Sequence, residues 1–189
     1  MLIRTATIFS AVTVASIAPI ANGGIIELTY SGVATTQVTA AQGTFTYTNL
    51  GFSLTALSDT SLVQSYSTSG GSGFYALVTS ATMTVGATTF DITSPLLVAV
   101  NNTLGISGLG DPAAGDLFIF GDSDFSSWDL QSNVGPLNGT ATPGASFETT
   151  LGTIQFIGDF PITFSANVVP APGAIALLGL AGLAGRRRR

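Results

Sequence analysis

Between residues 43 and 168 the chain alternates apolar and polar positions in short runs. The run GTFTYT at 43–48 sets Phe45 and Tyr47 on one side and threonines on the other. Phe52, Leu54 and Ala56 keep the same period, as do Phe74, Ala76 and Val78, then Met83 and Val85. Successive side chains of an extended strand point to opposite faces, so this period predicts half-buried strands. Residues 94–100 and 116–120 are nearly continuous in apolar residues, which fits strands buried on both faces. Later strands are predicted over 147–150, 153–157 and 162–168. Breaks rich in Gly, Asn or Asp fall at 49–51, 69–73, 101–110 and 133–144. Residues 82–85 and 88–92 are joined by Gly86-Ala87, a two-residue link with glycine first that suits a type II′ hairpin. No long window between 24 and 169 shows capped helical periodicity. The expectation is an all-β protein: a single antiparallel β-sandwich or jelly-roll-like domain of roughly nine or ten strands.

Charge sharpens this picture. The basic residues are Arg4 and Arg186, Arg187, Arg188 and Arg189, while all ten acids lie from Glu27 to Asp159. The middle is therefore a polyanion without an internal cation. It repels phosphate backbones, which argues against a nucleic-acid partner. There is no Cys, His or Lys, so disulfides, thiolate or imidazole ligands, a neutral-pH imidazole base and a Schiff-base amine are all absent.

The extremities have their own patterns. In residues 1–23, Arg4 precedes an uncharged and largely apolar stretch over 5–20, and small residues follow at Ala21, Asn22 and Gly23. This is the order of a secretory signal peptide. Residues 24–168 form the β domain. In residues 169–189, Pro170 and Pro172 end any preceding strand. Only Ala, Ile, Leu and Gly follow from 174 to 185, and the four arginines close the chain. A helix of about 12 residues spans about 18 Å, against about 30 Å of hydrocarbon. Gly179, Gly182 and Gly185 weaken it further. Arginines stay on the cytoplasmic side. The predicted tail is thus a transient inner-membrane anchor, with the acidic middle across the membrane.

A short proline motif, an apolar helix and a terminal arginine cluster together resemble the PEP-CTERM sorting signal. Pro170-Ala171-Pro172 stands where that family has Pro-Glu-Pro. The GTFTY strand at 43–47 and the TMTVGATTF hairpin at 82–90 are also similar to the bodies of such proteins. The resemblance implies recognition and processing by an exosortase, a transpeptidase-like membrane enzyme, in a bacterium that makes exopolysaccharide. Its sorting residues here are Pro170, Ala171, Pro172 and Arg186, Arg187, Arg188 and Arg189. The implied destination is the cell surface or extracellular matrix, with exopolysaccharide as a partner and a structural or adhesive role.

Chemistry is sparse. Asp122, Asp124 and Ser126 at alternate positions resemble the start of a calcium loop, but Ser127 and Asn133 stand where glycine and glutamate are needed. Trp128 and nearby Phe125 could stack on a sugar, or could pack in the core. A carboxylate pair for glycoside hydrolysis would have to come from Asp122 and Asp124, or either with Asp91 or Asp129. With no basic residue in the middle, a transition-state anion has only amides, hydroxyls or a metal to stabilise it. No catalytic residue, cofactor or metal ligand is assigned, and an enzyme is not expected. The alternatives are a calcium-assisted carbohydrate-binding module and a polysaccharide-cleaving enzyme.

Overall fold

The computed structural model describes residues 24–170. Twelve strands follow in chain order: β1 (Gly24–Ala40), β2 (Gly43–Asp59), β3 (Gln64–Thr68), β4 (Gly71–Val85), β5 (Thr88–Asp91), β6 (Leu97–Asn101), β7 (Ile106–Asp111), β8 (Gly115–Gly121), β9 (Val134–Pro143), β10 (Phe147–Thr149), β11 (Gly152–Ile157) and β12 (Phe160–Pro170). Single 3₁₀ turns lie at Thr60–Leu62 and Ser123–Ser126, and no α-helix occurs among the described residues. The antiparallel all-β expectation holds. Its finer form is a barrel, because the ladder β1-β12-β9-β8-β7-β6-β4-β2 returns to β1 and closes. Closure satisfies the edges that two separate sheets would leave open. The C-terminal helix expected after Pro172 lies outside the described residues.

Strand β1 is the spine. Ile26, Leu28 and Tyr30 are fully buried, while Ile25, Glu27 and Thr29 face outward. Its first half pairs with β12 on one edge and β2 on the other, from Gly24↔Pro170 to Gly32↔Ile162 and from Ile25↔Asp59 to Gly32↔Phe52. Its second half leaves the ring. There Thr35–Thr39 pair with β11 while Thr36–Ala40 stay paired with the start of β2. The upper halves of β1 and β2 therefore form an arm, flanked on one side by β11 and β10.

Aromatic rings fill the barrel. Tyr30 lies 4.8 Å from Phe164 and 5.1 Å from Phe118, centroid to centroid. Phe156 stacks on Phe160 at 4.6 Å, and Phe52 meets both. Edge-to-face contacts predominate, as ring quadrupoles favour. The Tyr30 hydroxyl has no hydrogen-bond partner among the described residues, and burial pushes its pKa above the ordinary tyrosine value.

Three predicted breaks contain strands. The break at 49–51 lies wholly inside β2, where Asn49, at φ +53°, marks only a shift of register with β1. The break at 101–110 holds most of β7, where glycine serves close packing: a Cβ on Gly108 would lie 2.5 Å from the Phe118 carbonyl oxygen. The break at 133–144 holds β9, whose Pro136, Gly139 and Pro143 hide a strand paired to β12 and β8. The Gly86-Ala87 hairpin is as expected, with φ +59° at Gly86 and no positive φ at Ala87.

Tyr30→Phe removes an unpaired buried hydroxyl at constant shape. It should stabilise the protein by about 1 kcal/mol, since a buried unsatisfied polar group costs roughly 1–3 kcal/mol. Thermal unfolding should show a rise of about 3 °C. A fall in melting temperature would mean that the hydroxyl is paired.

Candidate functional site

The acidic loop between β8 and β9 closes one pole of the barrel. It follows Gly121, which pairs with Ile106, and it leads into Val134, which pairs with Ala166. The Asp122 carboxylate caps the 3₁₀ turn by accepting from the Asp124 amide at 2.9 Å. The Asp129 carboxylate accepts from the Gln131 amide at 2.9 Å and the Ser132 hydroxyl at 2.8 Å. Such short-range bonds are what Asp does in turns. Among the described residues no three acidic side chains are grouped so as to hold a metal ion.

Beneath these carboxylates the loop turns apolar. Phe125 is fully buried and Trp128 is 2% exposed. Phe125 lies 4.9 Å from Phe120, and Trp128 lies 5.5 Å from Phe164. The Trp128 indole donates to the Ser132 carbonyl at 2.8 Å, which satisfies its one polar atom. Of the two readings of Trp128, the structure places it in the core. Asn102 fastens the loop from β6's end: its side-chain amide donates to the carbonyls of Phe125 at 2.6 Å and Trp128 at 2.9 Å.

The carboxylates considered for glycoside cleavage are not all brought together. Asp91 ends β5 and pairs with Thr82, and its carbonyl accepts from the Thr150 amide. This places it toward the end of the barrel opposite Asp122. Asp122 and Asp124 share a turn, but one carboxylate is spent on the other's backbone. Elsewhere, burial and then the charge of Asp116 push the Tyr66 phenol up to about 12, and its hydroxyl donates to the Val100 carbonyl. It is a packing group.

Of the sorting residues, Pro170 ends β12 opposite Gly24. Ala171, Pro172 and Arg186 to Arg189 lie outside the described residues. The first and last described residues, Gly24 and Pro170, therefore sit side by side, at the pole closed by the acidic loop. The arm points the other way. With 17 residues, β1 spans roughly 50 Å from that pole to the arm's tip.

The arm is the feature the alternation did not foretell. Every residue from 41 to 51 is exposed. Phe52, Leu54 and Ala56 are buried as expected, but the same face continues to Leu50, Tyr47 and Phe45, which are 37%, 42% and 47% exposed. No charge lies between Glu27 and Asp59, but the stretch between Asp59 and Asp91 is equally free of charge, so nothing in the sequence singles out the arm.

No family model matches the chain, and no curated protein is similar to it. One solved structure is similar in outline, that of DynF from the dynemicin biosynthesis pathway of Micromonospora chersina. It is 11% identical, with a TM-score of 0.26, over 87% of this chain and 90% of that one. At that score the likeness carries no argument.

Asn102→Ala should release the Phe125 and Trp128 carbonyls and loosen the plug. The expected cost is roughly 2 kcal/mol, the sum of two bonds at about 1 kcal/mol each. Tryptophan fluorescence should shift to the red as Trp128 meets water. An unchanged spectrum and melting temperature would show that the loop is held otherwise.

Proposed function

We propose that this is an exported bacterial protein of the cell surface or extracellular matrix. Its role is structural or adhesive in the exopolysaccharide or biofilm layer, and it performs no chemistry. An exosortase-type enzyme sorts it, reading Pro170-Ala171-Pro172, the apolar stretch and Arg186 to Arg189, with transient contact at the inner membrane. The observation that carries this reading is the segregation of charge: cations only at the two extremities, each beside an apolar stretch, and acids only between them. Two further features support it. Gly24 and Pro170 pair at one pole, at the other end of β1 from the arm's tip, which suits a body held through its C-terminal tail. The barrel's interior is occupied by packed rings, and the loop carboxylates serve their own turns.

The test is fractionation of cells producing the intact chain and a chain ending at Val168, with intact mass spectrometry of each. The intact chain should be recovered at the surface or in the medium, having lost residues up to about 23 and the arginine cluster. The truncated chain should cross the membrane and fail to be retained by it. Cytosolic protein that keeps both Met1 and Arg189 would overturn the proposal.

A further inference from the structure

We propose that the free edge of the arm pairs with the same edge of a second copy, antiparallel and about a two-fold axis. The edge runs over residues 43–50 of β2. Its other side is fully engaged by β1, from Thr36↔Tyr47 to Ala40↔Gly43. β4 takes over the outer edge only from Phe52 onward. Backbone groups on the outer side of 43–50 thus face open solvent, which is the template for strand addition.

Edge strands are ordinarily blunted by Lys, Pro, an inward charge or a bulge. This one has no charge and no proline. Its one irregularity is at Asn49, with φ +53°, where the register with β1 shifts. That leaves 44–48 as the pairing segment. Its sequence, Thr-Phe-Thr-Tyr-Thr, has the same pattern in both directions. With Thr46 on the axis, Phe45 of one copy lies opposite Tyr47 of the other, and Thr44 opposite Thr48. Aromatic and threonine cross-strand pairs are favourable in antiparallel ladders.

Charge selects the occupant. Two copies of a polyanion repel each other wherever acids face acids, and the arm carries none of the ten. Five paired residues bury less than the ~800 Å² per partner of a standard interface, so the association is weak in dilute solution. Antiparallel pairing also sets the two barrels at opposite ends of the joint sheet, with their Gly24–Pro170 poles far apart. On the export reading, such a contact bridges two surfaces instead of crowding neighbours on one. The pairing itself does not depend on that reading.

Because the chain has no cysteine, single cysteines report the geometry. Full-length Thr44→Cys carrying ¹⁵N is mixed with unlabelled full-length Thr48→Cys under mild oxidation, and dimers are read by intact mass. The expected product is the mixed 44–48 dimer, formed about tenfold faster than a dimer of either variant alone. Parallel pairing or chance collision would give as much homodimer as mixed dimer and would overturn the proposal. In a cysteine-free background, Thr46→Lys places like charges on the axis and should weaken association by about tenfold or more in sedimentation equilibrium. Thr46 is exposed, so the fold is retained, as circular dichroism will show. Association that is indifferent to Thr46→Lys, or a strictly monomeric protein whose edge amides are protected by its own extension, would also overturn it.

Discussion

The structure depends on one ladder, the pairing of β1 with β2. It begins beside Asp59, runs the length of both strands, and breaks register only between Ala34 and Thr36. Below that point it completes a ring, so every edge of the barrel is satisfied. Above it, the two strands leave together and take on β11 as a flank. A closed barrel alone has no edge to offer and no preferred end. By running past the ring, β1 gives this one both: a pole where Gly24 meets Pro170 and an arm at its other end.

The interior and the surface answer different demands. Packing among Tyr30, Phe118, Phe156, Phe160 and Phe164 stabilises the barrel without disulfides or ion pairs, neither of which the body's composition permits. Acids at the surface keep an otherwise uncharged, threonine-rich body dispersed. Most lie from Asp111 onward, and several are turned to local use as caps. In that division the densest acidic segment is a lid: Asp122 and Asp129 cap its turns, and its underside is Phe125, Trp128 and Leu130.

Much of this is legible in the residues. Alternation locates β2 and β4, apolar runs locate β6 and β8, and β11 and β12 fall where later strands are expected; β6 is buried on both faces. What misleads is glycine and proline. In β7 and β9 they read as breaks, yet Gly108 is there because its neighbour's backbone comes too close for a side chain. β1 has clear alternation at Ile26, Leu28 and Tyr30, but it abuts a predicted cleavage site and so escapes notice as a strand. Barrel closure is a non-local fact, since it needs β1 to meet both β2 and the last strand. Period also cannot tell a face that is covered from one that is merely apolar. Phe45 and Tyr47 carry the same signal as Leu54 and Ala56, and only the fold shows that they stay exposed while Leu54 and Ala56 are fully buried. Of the residues expected to form a sorting signal, only Pro170 falls among the described residues, at the end of β12.

The central claim is that β1 is held on both edges over Ile25–Gly32 and again over Thr36–Thr39, while the start of β2 is held on one. Residue-resolved hydrogen exchange on dilute protein measures this most directly. The account predicts strong protection at Ile26 to Tyr30 and again at Gln37 to Thr39, with alternate amides of residues 44–47 exchanging orders of magnitude faster. If Gln37 to Thr39 exchange as fast as that edge, the arm is not built on β1, and the polarity of the molecule is lost with it.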